Sequence, residues 1–184
     1  MKPYARCLSW LGYLLVLSGF ALITLPAAAT ENLFFSGALV AEPCTLMPED
    51  REKAAPHLVA TDKELYRSGR TRGEPIVLRL LNCDVGQEEV QIKILFDGAS
   101  SSADPAYLKP ASGEGMAEGV LIGLETQDGQ LLPLHQSNPM GRLSNGDNQI
   151  SFMAYLKAEA EALVARSIKG GNILATLSFI LSYD

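Results

Sequence analysis

Histidine and tryptophan are almost missing from this chain of 184 residues, which has two His, at 57 and 135, and one Trp, at 10. So few imidazoles leave little for acid–base catalysis or metal binding. Neither His57 nor His135 belongs to a pattern such as H-E-x-x-H, and no G-x-S-x-G or Walker-type loop is present, so both histidines read as surface residues of loops. An excess of positive charge is also lacking: fifteen Lys and Arg face twenty-one Asp and Glu, a formal net charge of −6. Binding phosphate backbones demands concentrated Lys and Arg, which excludes nucleic acid as the natural partner. Long apolar runs are missing too, because the stretch from Leu11 to Leu25 stops short of the ~20 residues a spanning helix needs.

That stretch has a simpler meaning. Lys2 and Arg6 precede it and Ala27-Ala28-Ala29 follows it, the order of a secretory signal peptide with small residues for cleavage. Residues 1–29 are therefore expected to be removed, with no membrane insertion of the mature chain. What remains is 155 residues carrying thirteen bases against twenty-one acids, a net charge of −8, enough for one domain with a real core. Cys7 and Trp10 leave with the signal. Loss of Trp10 counts against a tryptophan-based sugar-stacking site, without excluding tyrosine. Cys44 and Cys83 remain in an export route that permits oxidation, so they are expected to pair; the alternative is two free buried thiols. Their spacing does not suit zinc, and neither a metal nor a cofactor is expected. Closing the loop between them stabilises the fold by roughly 4 kcal/mol in the chain-entropy picture.

Short alternating segments separated by turn chemistry predict an antiparallel β-sandwich. The spacing gives strands at Asn32–Glu42, Pro75–Cys83, Val90–Asp97 and about Asn148–Leu156. Asp97-Gly98 and Asn145-Gly146 read as turns, and Asp128-Gly129 reads as the tip of a hairpin between VLIGLETQ and QLLPL. Between Pro48 and Gly73 the chain is charged and poor in pattern, which predicts a long surface connection with one short strand around His57–Thr61. Lys157–Ser167, KAEAEALVARS, is built from helix formers and predicts a short helix packed on the sandwich. The final stretch, GNILATLSFILSYD, alternates again: Ile173, Ala175, Leu177, Phe179, Leu181 and Tyr183 share one face. A half-buried strand there needs a neighbour on each side or a protected edge, and the expectation is that something outside the domain covers it.

Candidate chemistry is thin. Glu88-Glu89 and the pair Glu159 and Glu161 are read as solvated carboxylates, since nothing in the pattern separates their pKa values. Arg67, Arg70 and Arg72 are read as an exposed basic loop.

Taken in order, SGALVAEPCTL, VLRLLNCD, ILFDG and AYLKAEAEALVARSIKGGNILATLSFILSYD resemble the pilus subunits of the chaperone–usher pathway. The chain looks most like the minor tip-fibrillum and adaptor subunits of P-type pili. The resemblance covers the whole mature chain. It implies an all-β fold, an incomplete immunoglobulin-like antiparallel sandwich lacking its seventh (G) strand and completed by a donor strand in trans. Gly171, fourteenth from the end, and the penultimate Tyr183 match the family's C-terminal assembly signature. The resemblance further implies that Gly171, Ala175, Leu177, Phe179, Leu181, Tyr183 and Asp184 line the groove taken by a periplasmic pilus chaperone and then by the next subunit. A terminal carboxylate at Asp184 would be held by basic chaperone residues.

At the other end the family carries an extension that fills a neighbour's groove by strand addition. Here it maps onto TENLFFSGAL, with Leu33, Phe35 and Leu39 as alternating plugs and Gly37 where close backbone approach is wanted. The other reading of Leu33 and Phe35 is an ordinary first strand on the chain's own core. With cleavage after Ala29 the extension before Gly37 is seven residues, which suits minor subunits. The implied organisation is signal peptide 1–29, donor extension 30–40 and pilin domain 41–184. The implied function is a non-catalytic structural subunit of a cell-surface fimbrium, exported through the periplasm, with the chaperone, the outer-membrane usher and neighbouring subunits as partners and an indirect part in adhesion. Rival readings are a base subunit that terminates the pilus, a small secreted lectin-like domain, and a secreted hydrolase that would need His57 or His135.

Overall fold

In a computed structural model of the chain, residues 42–86 and 89–184 are described. The expected signal peptide and the donor positions Leu33, Phe35, Gly37 and Leu39 lie outside the described residues, as does Glu88. Seven strands are formed among the described residues: β1 (Thr45–Leu46), β2 (Glu74–Cys83), β3 (Gln91–Gly98), β4 (Val120–Glu125), β5 (Ser137–Arg142), β6 (Gly146–Ala158) and β7 (Leu177–Tyr183). All pairings between them are antiparallel, in one sheet ordered β1-β2-β6-β4 and another ordered β5-β3-β7.

The alternation of apolar side chains decides which face of each strand turns inward. On β2, Leu78 and Leu80 are buried while Arg79 is exposed; on β3, Ile92, Ile94 and Phe96 are buried while Gln91 and Asp97 are exposed. The two sheets meet where Phe96 of β3 packs on Phe152 of β6, ring centroids 5.0 Å apart and tilted by 59°, a favourable arrangement for aromatic pairs. The pairing of β2 with β6 shifts register between Leu80 and Cys83. There Asn82 takes a positive φ of 51°, a conformation Asn tolerates better than most residues. Cys83, just beyond, is disulfide-bonded to Cys44.

Three helices interrupt the sheets: α1 (Pro48–Arg51), α2 (Asp62–Ser68) and α3 (Ala160–Ala165). The expected short strand at His57–Thr61 is not formed, and α2 follows in its place. Its cause is local: the Thr61 hydroxyl accepts from Glu64 N–H at 3.2 Å, and Gly69 closes the helix with a φ of 73°, a capping arrangement at both ends. The helix expected over Lys157–Ser167 is shorter. Lys157 and Ala158 belong to β6, where pairing with Leu121 and Val120 outweighs their helix propensity.

Turn expectations divide likewise. Asn145-Gly146 turns into β6, with a φ of 94° at Gly146. At Asp128-Gly129 the turn forms, Thr126 N–H donating to Gln130 O at 2.8 Å, but the second arm is no strand, Leu131 making only an isolated bridge to Glu125. Asp97-Gly98 does not turn; both residues extend β3 against Ser178 and Leu177. At Gly98 a Cβ would sit 2.6 Å from Leu108 Cδ1 and 3.1 Å from Thr176 O, so a side chain there would make its neighbours shift.

One buried carboxylate ties α1 to the sheet. Asp50 is wholly buried and accepts from Arg79 N–H, Nε and Nη2 at 2.8, 2.8 and 2.9 Å and from Lys53 Nζ at 2.9 Å. The Arg79 guanidinium and the Lys53 ammonium hold its carboxyl well below the usual carboxylate range, against the opposing effect of burial. A carboxylate accepting several donors is stabilised in its charged form.

Candidate functional site

The apolar face of β7 is the least finished part of the sandwich. Cross-strand pairing sets Tyr183 opposite Ile92, Leu181 opposite Ile94, Phe179 opposite Phe96 and Leu177 opposite Gly98. These residues form one inward row on neighbouring strands. Ile92, Ile94 and Phe96 are 2, 0 and 0 % exposed, whereas Leu177, Phe179, Leu181 and Tyr183 all remain partly exposed. Burial therefore falls away across a single strand spacing. Burial also pushes the Tyr183 phenol above its ordinary pKa, with Glu42 adding to the effect.

The cause is a missing neighbour. Among the described residues β7 hydrogen-bonds to β3 alone, leaving its other edge bare. Other sheet edges are protected. The outer edge of β4 is covered by Leu108, which exchanges both backbone bonds with Ile122 at 2.9 Å, and by Leu132, whose N–H donates to Leu124 O at 2.8 Å. β1 is two residues long, and β5 carries Pro139 and Gly141. Short strands and prolines blunt an edge. β7 has neither Pro nor Lys; its outward residues are Ser178, Ile180 and Ser182, with Ile180 61 % exposed.

A second backbone stretch is also unpaired. Residues 54–60 enter no backbone hydrogen bond among the described residues, yet Leu58 and Ala60 pack on the core while His57 and Val59 are exposed. Leu58-Val59-Ala60 thus has the alternation of a strand without the partner that would make it one.

The expected groove set spans more than one element. Leu177, Phe179, Leu181 and Tyr183 lie on the inner face of β7, but Gly171 and Ala175 precede the strand, which begins at Leu177 and not at Ile173. Gly171 answers to packing against backbone: a Cβ would stand 2.4 Å from Met116 C and 2.6 Å from Ala117 N. Its neighbour Asn172 exchanges bonds with that segment, donating to Gly115 O and accepting from Ala117 N–H, both at 2.9 Å. Ala175 is exposed in an open depression with Ala99, Lys109, Pro110 and Leu174. Asp184 continues the β7 pairing, its backbone exchanging two bonds with Gln91 at 2.8 and 2.9 Å. Lys93 Nζ donates to the Asp184 carboxylate; in sequence Lys93 is only an outward residue of a strand.

The remaining polar candidates are spread over the surface. His57 is exposed, and His135 sits in an exposed loop with Nδ1 3.1 Å from Asp97 Oδ1. Glu89 pairs with Arg142 at 2.9 Å. Glu159 and Glu161 flank the start of α3. The basic loop needs correcting at Arg70, which is engaged: it donates to both carboxylate oxygens of buried Glu125 at 2.8 and 2.6 Å and covers the Tyr155 ring at 3.5 Å. A bidentate, stacked guanidinium of this kind is a packing element. Arg67 and Arg72 are exposed.

Two antiparallel sheets, a disulfide beside β1 and an open β7 define, among the described residues, an immunoglobulin-like sandwich without a closing G strand. The sequence model of the fimbrial protein family matches residues 33–184, and the chain belongs to that family. It is a non-catalytic structural subunit of a fimbrium, exported to the cell surface, and its neighbours there are other pilus subunits. It is 30% identical over 158 residues to the fimbrial-like protein YfcP of Escherichia coli K12, covering 85% of each chain. With the fimbrial adapter PapK of Escherichia coli it shares 27% identity over 168 residues, 89% of this chain and 94% of the other. Among solved structures it resembles a subunit of a chaperone–usher pilus, with a TM-score of 0.66 at 19% identity over 88% of this chain and 99% of the other. It also resembles the P pilus rod subunit PapA, with a TM-score of 0.61 at 17% identity over 78% and 100%.

Proposed function

We propose that the chain is a minor tip or adaptor subunit that polymerises by donor-strand exchange. The carrying observation is the bare edge of β7, with its inner row partly exposed beside the fully buried row of β3. An edge strand of seven residues without blunting devices is a template for an added strand. In the periplasm a pilus chaperone fills the groove; at the outer-membrane usher the extension of the next subunit replaces it. This chain's own extension, residues 30–40, does the same for its neighbour through Leu33, Phe35 and Leu39, with Gly37 allowing close backbone approach. Residues 41–184 form the pilin domain, and residues 1–29 are the signal peptide. Adhesion is served indirectly, through the place of the subunit in the fibre.

Burying three large apolar side chains contributes about 1.5–3 kcal/mol each, to which the backbone ladder adds. That exceeds the lower estimates of what association costs. The test is Phe35→Asp. It is expected to leave the chaperone complex intact and to abolish joining to the acceptor subunit, measured as incorporation into surface fibres; incorporation at the unmodified level overturns the donor assignment.

A further inference from the structure

The groove has to keep its wall while its occupant is exchanged, and β7 rests on β3 alone among the described residues. The exposed end of a strand paired on one side is where a sheet opens first. Here two contacts hold that end. The backbones of Gln91 and Asp184 exchange a reciprocal pair of bonds, and Lys93 Nζ reaches the Asp184 carboxylate. Register explains the second contact. Lys93 stands opposite Ser182 on the outer face, and Asp184 is the next outward residue of the same strand. The two side chains are thus diagonal neighbours, within reach of a long side chain such as Lys.

We infer that Lys93 is a positioning residue for strand addition: its ion pair with Asp184 pins the C-terminal end of β7, so that Tyr183 stays opposite Ile92 as the last wall of the groove. This rests on the proposed function. Lys93 does not touch the occupant, because it lies on the outer face and the groove opens on the inner one. The pair suits that role. Its side chains are 33 and 57 % exposed, so it adds no buried charge to the groove and is weakened by salt. The charged groups at the same end of the sheet, Arg142 opposite Gln91 and its partner Glu89, pair with each other at 2.9 Å, and Asp97 stands four residues further along β3.

The experiment uses the exported chain purified as its chaperone complex, with a synthetic peptide of residues 30–40 as the incoming strand. Release of chaperone is followed in wild type, Lys93→Gln and Lys93→Arg. Hydrogen exchange is read over residues 181–184. Lys93→Gln is expected to speed exchange at those amides and to shorten the life of the complex about threefold at low salt, as for a partly screened ion pair. Lys93→Arg is expected to restore both, and the difference is expected to vanish near ~1 M salt. Release and exchange unchanged in Lys93→Gln overturn the inference while leaving strand addition standing. If the wild type forms no complex and takes up no peptide, the functional reading falls and the role of Lys93 falls with it.

Discussion

Asp50 shows how one residue can fix a loop that otherwise has little to hold it. Its carboxylate is buried and accepts four hydrogen bonds from Arg79 and Lys53, joining α1 to the middle of β2. Asp50→Asn keeps the shape but removes the charge that these donors face, and is expected to cost about 1–3 kcal/mol, the range for losing charge-assisted hydrogen bonds at a buried acceptor; denaturant unfolding of the chaperone-bound chain, compared with the unsubstituted complex, would measure it. The pH dependence follows from the depressed pKa. The stabilisation is fully present above the ordinary Asp value of about 3.9. It is lost as pH falls from there through the lower folded value, because the unfolded chain then binds the proton first. Asp50→Asn is expected to flatten the acid limb of the stability profile. Gly171 makes a second case at this scale. Gly171→Ala sets a methyl 2.4 Å from Met116 C, where only backbone could yield, and is expected to lower stability by about 1–3 kcal/mol through overpacking; thermal unfolding of the chaperone-bound chain, compared with the unsubstituted complex, checks it.

At the scale of elements, the sandwich was legible wherever alternation was clean and undisturbed. β2, β3 and β6 follow from their period-two rows to within about two residues at each end. β5 did not, since SNPMGR carries Pro139 and Gly141, residues depleted in strands and tolerated there because β5 is an edge. α2 was readable in principle, since Thr61 and Glu64 at N-cap and N3 with Gly69 after Ser68 are helix signals; the surrounding charge masked them. The end of β7 was legible as a half-buried strand, and Leu177, Phe179, Leu181 and Tyr183 stand together on its inner face. Its beginning was not. Ile173 and Ala175 keep the alternation, but the segment from Lys169 to Leu174 bonds to Ala111 and to Gly115–Glu118 and not to β3. Arg70 was misread for a similar reason: its partner Glu125 is 55 residues away in sequence, beyond any local pattern.

At the scale of the whole molecule, the described residues form a sandwich with one open edge. A complete sandwich would bury the inner row of β7 as thoroughly as that of β3, and this one does not. The apolar strip that results cannot be left open in solution without inviting association. Family membership and the open edge support the proposed assembly by strand addition, and the disulfide and the Asp50 network tie the described part of the domain together. The most direct measurement is to express the chain in a periplasm with and without its pilus chaperone and determine what accumulates. The account predicts a soluble one-to-one complex with the chaperone and degradation or aggregation without it. A stable monomer that unfolds in a single two-state transition in the absence of any chaperone would mean that the sandwich is closed by its own chain, and would contradict it.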